Sequence, residues 1–255
     1  MAEHEALFFA AVVLDALHHI HDHEVVFRDL KPENVLIDRR GYARVVDFGF
    51  AKVLPPTQMT YTILGTPEYL SPDCVLGQGY RFDVDLWAFG VLVYEMLRGR
   101  SPFCPPNPDD TMAVFRLITA AKVKIPLSMN AHVANLITNV LLRDRTKRLG
   151  DRNGAADVKA HVAFGFLEGD WEGAAAPVRS TPPSPSARAH RDPTAAGLRR
   201  KDYQAPHVPD LESDVDASKF DTYPEDLAVT PYEGDQAAFV EFGSDMVRDP
   251  DLNCA

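Results

Sequence analysis

The segment Val84–Leu97 is apolar nearly all the way round, and a helix of that kind must be enclosed by other elements. Its longest uninterrupted apolar run, Leu86–Tyr94, has nine residues, about half of what spans a bilayer. The segment therefore predicts a buried helix of a globular core. Asp85 near its start and Glu95 near its end then need partners, because an unpaired buried charge is costly.

Other segments supply the walls. Residues 3–22 read as an amphipathic helix with Leu7, Ala10, Leu14 and Leu17 on one face. Val25–Phe27 and Val35–Ile37 are short apolar runs separated by the polar stretch Arg28–Asn34. A tight turn at Arg39-Arg40-Gly41 precedes the strand-like Ala43–Val46. Residues 50–80 read as a long loop rich in hydroxyls, and Met112–Ala121 and Ala131–Leu142 as further helices. Between 174 and 197, Ala, Pro, Ser and Thr dominate, which predicts a disordered insert.

The 26 basic residues are outnumbered by 37 acids, giving a net charge of −11. Residues 207–255 carry the whole imbalance, since Lys219 and Arg248 are their only bases; residues 1–206 are neutral. A nucleic-acid binder would present a basic face, so that class of partner is excluded from the reading. Cys74, Cys104 and Cys254 are odd in number and far apart, which argues against a disulfide framework or zinc site and for a reducing compartment. With no secretory signal pattern and no spanning run, the expectation is a soluble cytoplasmic protein without membrane partners, the nucleus left open.

The chemistry concentrates in Phe27-Arg28-Asp29-Leu30-Lys31-Pro32-Glu33-Asn34, followed by Asp47-Phe48-Gly49. These match the R-D-L-K-x-x-N catalytic loop and the D-F-G triplet of protein kinases. A polar turn between strands would not require the distant triplet. Residues 1–164 resemble the C-terminal lobe of an AGC-group serine/threonine protein kinase. The likeness to the cyclic-nucleotide-dependent (cAMP-dependent) kinases rests on Asp47-Phe48-Gly49-Phe50-Ala51-Lys52 and Gly65-Thr66-Pro67-Glu68-Tyr69-Leu70.

The resemblance implies a protein-kinase-like fold: a mainly α C-terminal lobe with short β hairpins over 1–164, then an AGC-type tail over 165–255. It implies ATP and Mg²⁺ as cofactors. Asp29 would accept or orient the substrate hydroxyl proton, and Lys31 would offset charge on the transferred phosphoryl group. Asn34 and Asp47 supply hard oxygens suited to Mg²⁺. Thr66 stands where the family's hydroxyl bonds the catalytic Asp and Lys. Glu33, Asn34, Leu36, Asp47 and, from the tail, Phe220 would line the nucleotide site.

By position the family's activating phosphothreonine is Thr62, held by Arg28 and Lys52. Thr57, Thr60 and Thr66 compete for that role. Glu33, Glu68 and Glu95 match acidic positions that read basic residues beside the phosphorylated hydroxyl, which implies protein substrates with basic residues near Ser or Thr. A regulatory subunit or an upstream activating kinase is the further partner implied. Asp73 stands in place of the usual Glu of A-P-E, so its pair with Arg148 is expected to be weakened or rearranged. Asp85 matches the carboxylate that holds the catalytic-loop backbone. The cluster His18, His19, His21 and His23 does not converge on one helix face, and His21 reads as a structural histidine. In the tail, Lys219–Tyr223 resembles the segment whose aromatic reaches the adenine pocket, and Phe239-Val240-Glu241-Phe242 the F-x-x-F hydrophobic motif.

No G-x-G-x-x-G occurs in the sequence and no lysine precedes the catalytic loop, so the phosphate cover and the V-A-I-K lysine have no counterpart. The expectation is a truncated, catalytically incompetent form of an active kinase. The alternatives are a non-catalytic module binding substrates or regulators, and a lobe completed in trans.

Overall fold

The computed structural model describes residues 1–55, 57–167, 198, 201, 203–213, 216 and 218–220. They fall into two units, Met1–Glu212 and Ser213–Ala255, each described by itself. The Pro-rich insert 174–197, Thr222, Tyr223, the 239–242 motif and Cys254 lie outside the described residues.

The first unit is built around two long helices, α1 (Glu3–Asp22) and α3 (Asp83–Arg98). Every residue of α3 from Val84 to Tyr94 is buried, as its all-round apolar sequence requires. Gly90 makes close packing possible: a Cβ there would stand 2.9 Å from both Val140 and Leu141. Those residues end α5 (Ala131–Val140), so α5 lies directly against α3. Trp87 stacks on Phe103 at 5.4 Å between ring centres. Gly99, at φ 72°, ends α3 by donating its N–H to the Glu95 carbonyl at 2.7 Å.

Helix α1 is buried over more than the one face predicted from Leu7, Ala10, Leu14 and Leu17. Leu7 is only half-buried, whereas Ala6, Phe8, Phe9, Ala11 and Val13 are in the core. The reason is that α1 is flanked by α3, by α6 (Ala155–Lys159) and by β3 (Ala43–Val45) at once. A part-buried pair, Lys159 Nζ to Asp15 Oδ1 at 2.6 Å, ties α1 to α6.

Two small antiparallel sheets follow α1. β1 (Val25–Val26) pairs with β4 (Lys52–Val53), and β2 (Val35–Ile37) pairs with β3 with Leu36 opposite Arg44. Residues 50–80 are not one loop: they contain β4, a 3₁₀ turn at Pro67–Tyr69 and α2 (Pro72–Val75). Strand β4 has two residues and exists only because β1 offers it an edge, so no local pattern marks it. α4 (Thr111–Ala120) packs on α2 and on the 67–69 turn.

Within this unit, Lys201, Tyr203, Ala205 and His207 lie against the β2–β3 hairpin. Leu198, Tyr203 and Ala205 are buried, and Tyr42 Oη donates to the Tyr203 carbonyl at 2.6 Å. Arg40 Nη2 donates to the Lys201 carbonyl at 2.6 Å, and Lys201 Nζ pairs with Asp38. In the second unit, the Ser218 N–H donates to Asp216 Oδ1 at 2.8 Å.

Candidate active site

The polar stretch 28–34 is held from beneath by α3. Asp85, fully buried, accepts the Phe27 N–H at 2.8 Å on Oδ2 and the Arg28 N–H at 2.7 Å on Oδ1. His21 Nε2 lies 2.8 Å from Oδ2. Three partners account for a charge on an otherwise apolar helix. They also fix Arg28 at φ 72°, a left-handed conformation that side chains disfavour.

Above this support four predicted side chains meet. Asp29 is buried, and Asn34 Nδ2 donates to its carbonyl at 2.8 Å and to Oδ2 at 2.9 Å. Lys31 Nζ stands 3.1 Å from Asp29 Oδ2 and 3.0 Å from Thr66 Oγ1. Thr66 Oγ1 in turn lies 3.3 Å from Asp29 Oδ1. The approach of the 65–66 segment depends on Gly65, at φ 107°, where a Cβ would sit 2.7 Å from the Arg28 carbonyl.

Asp47 reaches the same end of the unit through the hairpin, since the Val46 N–H donates to the Asn34 carbonyl at 3.0 Å. It is exposed, at φ 61°, and its Oδ1 accepts the Gly49 N–H at 3.0 Å. The donor set suits Mg²⁺. Asn34 commits its amide hydrogens to Asp29 and keeps Oδ1 as a hard donor, and Asp47 keeps a carboxylate oxygen. Mg²⁺ needs no more than one or two such protein ligands beside phosphate oxygens and water.

These residues match the protein kinase domain family over positions 1–164, more than half of the chain. The chain belongs to that family. It is 41% identical over 220 residues to the cAMP-dependent protein kinase catalytic subunit PRKX of Homo sapiens, covering 86% of this chain and 53% of that protein. It is 38% identical over 219 residues to the cAMP-dependent protein kinase catalytic subunit 3 of Drosophila melanogaster, covering 86% and 32%. To the cGMP-dependent protein kinase 2 of Homo sapiens it is 36% identical over 230 residues, covering 89% and 26%. The resemblance to cyclic-nucleotide-dependent AGC kinases thus holds, and the chain spans about half the length of the first of these relatives.

Within this kinase domain Arg28, Lys52 and Thr62, expected to come together on a phosphothreonine, each hold other partners. Arg28 Nε donates to the Phe50 carbonyl at 2.7 Å, and Lys52 Nζ lies 3.3 Å from Thr60 Oγ1. Thr60 is buried and its backbone bridges Tyr80. Thr62 is exposed, and its carbonyl accepts from Tyr80 Oη at 2.6 Å. Burial raises the Tyr80 hydroxyl above its ordinary range, while Arg28 beside it acts in the opposite sense. Tyr80 therefore joins Arg28 to the Thr62 backbone.

Glu95, one of the three predicted acids, is held by Tyr69. Tyr69 Oη donates to Glu95 Oε2. Burial, that bond and the charges of Glu33 and Glu68 push the hydroxyl far above its ordinary range. Tyr69 and Tyr80 are site residues that the sequence reading did not single out; neither tyrosine carries a spacing signal of its own.

The Asp73–Arg148 pair, expected to be weakened or rearranged by the shorter side chain, is made and is shared with a second acid. Arg148 Nη1 stands 2.6 Å from Asp73 Oδ2 and 3.6 Å from Asp83 Oδ2, all three residues lying well below the surface. Arg148 Nε and Nη2 donate to the Leu142 and Arg143 carbonyls at 2.7 and 3.1 Å, and the guanidinium lies over Trp87. Asp83 acts as the second acid, which compensates for the missing methylene.

Leu36 sits on β2, partly exposed, opposite Arg44. Phe220 belongs to the second unit. His18 faces Asp22 at 3.6 Å, and His23 Nδ1 lies 2.8 Å from the His19 carbonyl, so these histidines turn to local partners.

Proposed function

We propose that this chain carries the acceptor-side half of a serine/threonine protein kinase, which transfers the γ-phosphoryl group of ATP to Ser or Thr in basic surroundings. The observation that carries the reading is the arrangement around Asp29: Asn34, Lys31 and Thr66 each bring a polar atom within 3.3 Å of its carboxylate, and Lys31 Nζ also stands 3.0 Å from Thr66 Oγ1. In it, Asp29 accepts or orients the hydroxyl proton, and Lys31 places positive charge beside the same carboxylate, where the transferred group would pass. Thr66 fixes both in one geometry. Bound Mg²⁺ would neutralise phosphate charge, held by Asn34 and Asp47.

Glu33, Glu68 and Glu95 form the acidic face that takes basic side chains of the protein substrate. Phosphorylated Thr62 would offer Arg28 and Lys52 a dianion in place of their present carbonyl and hydroxyl partners. Leu36 belongs to the nucleotide site in this reading. An upstream kinase and a regulatory subunit are the partners it entails, and the cytoplasm the place.

The 255 residues contain no glycine-rich phosphate cover and no lysine ahead of Asp29. Loss of one preorganised charge donor costs roughly 10²–10³ in rate, so transfer by these residues alone is negligible. The test joins the phosphate-covering lobe of a cAMP-dependent kinase to this chain. Asp29-dependent phosphorylation of a basic Ser peptide is expected. A folded chimaera no more active than its Asp29→Ala variant would overturn the reading.

A further inference from the structure

The segment that carries Thr62 is fastened at two points by one residue. The Thr60 N–H donates to the Tyr80 carbonyl and the Tyr80 N–H to the Thr60 carbonyl, each at 3.0 Å. Two residues on, the Thr62 carbonyl accepts from Tyr80 Oη at 2.6 Å. Between these points Tyr61 lays its ring over Gly79, where a Cβ would stand 2.9 Å from Cε1 and Cζ and 3.0 Å from Met59 Sδ. Gly79 is itself anchored from elsewhere, since Arg145 Nη1 donates to its carbonyl at 2.7 Å. Gly79 and Tyr80 thus form a seat for residues 59–62, braced by the segment that follows α5.

The seat also joins the loop to both cations of the phosphosite. Tyr80 is buried and lines one small cavity with Arg28, Thr66 and Asp85. Lys52 Nζ lies 3.3 Å from Oγ1 of Thr60, the residue bridged to Tyr80. The loop on either side of Thr62 has little other hold, Tyr61 being 63% and Ile63 52% exposed. A backbone fixed beforehand lets a phosphate meet its cations without first paying to order the chain.

We propose that Tyr80 is the positioning residue of the activating phosphosite: its hydroxyl bond to the Thr62 carbonyl presets phosphorylated Thr62 against Arg28 and Lys52. The inference rests on the reading of Thr62 as that phosphosite. Tyr80 touches neither the nucleotide nor the substrate hydroxyl in it; the residue acts through the loop backbone.

The test is a phosphorus NMR titration of the 255-residue chain with phosphothreonine installed genetically at position 62. A solvated phosphothreonine takes up its second proton at about pH 6. Cations held beside it favour the dianion, so wild type should titrate about one pH unit lower. Tyr80→Phe keeps the ring and deletes the hydroxyl, and its phosphate should titrate near the solvated value. Replacing Tyr80 by 4-aminophenylalanine, which restores a donor, should bring the lowered midpoint back. Circular dichroism verifies each fold. A purely structural role would leave the phosphate of the folded variant titrating as in wild type. An unchanged midpoint in Tyr80→Phe, or loss of its fold, overturns this inference alone. A wild-type midpoint at the solvated value overturns the Thr62 reading and the inference with it.

Discussion

The Arg28 N–H donates to Asp85 Oδ1 at 2.7 Å, joining a left-handed residue of the site to the most deeply buried helix of the fold. Function and stability meet in that bond. Asp85→Ala would leave the Phe27 and Arg28 N–H groups without their acceptor and His21 without its partner. Each orphaned buried group costs about 1–3 kcal/mol, so urea unfolding should register a loss of at least about 3 kcal/mol. A change under about 1 kcal/mol would show that Asp85 does not support the loop.

The Arg148 guanidinium lies between Asp73 and Asp83, over Trp87. Removing one partner of a buried pair costs about 3–5 kcal/mol, because the other charge remains. Asp73→Ala should fall at the lower end of that range, since Asp83 is already within 3.6 Å. Arg148→Met should cost more, because it leaves two buried acids facing each other. Chemical denaturation of both variants checks the order.

Gly65→Ala tests the approach of the two segments. The substitution places a methyl group 2.7 Å from the Arg28 carbonyl at φ 107°. Backbone strain alone costs about 1–2 kcal/mol, and the clash displaces Thr66 from Asp29. In the two-lobed chimaera kcat should fall at least about tenfold, with KM for the peptide less affected. Unchanged kcat would separate the Thr66 contact from catalysis.

An acid transition is expected where Lys201 and Tyr203 meet the β2–β3 hairpin. Burial raises the Asp38 carboxyl, but hydrogen bonds from Lys201, from the Tyr42 and Arg40 N–H groups and from Arg44 outweigh it and hold the group at about 2, against 3.8 for the free side chain. A pKa lowered on folding gives stability that is present above about pH 4 and lost as the pH falls toward 2. The near-ultraviolet circular dichroism of Tyr42 and Tyr203 should therefore change over that window. In Asp38→Asn the change should be absent from the window, and the signal at pH 7 already altered. Superimposable curves for the two proteins would contradict the assignment.

Much of the site was legible because its residues are close in sequence. Asp29, Lys31 and Asn34 span six positions, and their types alone suggest the chemistry. Asp85 could be read because a charge on an all-apolar helix demands a partner, and α3 itself because its sequence is apolar nearly all the way round. Tyr69 and Tyr80 were not legible, since their roles come from which residues the fold sets beside them. The same holds for β4, whose two residues become a strand only when β1 pairs with them. Asp73 was legible in part: a shorter acid suggested a weakened or rearranged pair, and the second acid that shares it, Asp83, arrives from the start of α3, which no pattern around Asp73 marks.

The account stands most directly on one assay: phosphorylation of a basic Ser peptide by these 255 residues with Mg²⁺ and ATP, beside Asp29→Ala. It predicts equal background counts for the two proteins, because the phosphate-covering groups are not among these residues. Phosphorylation by wild type that disappears in Asp29→Ala would contradict it, and would mean that this half alone can grip ATP.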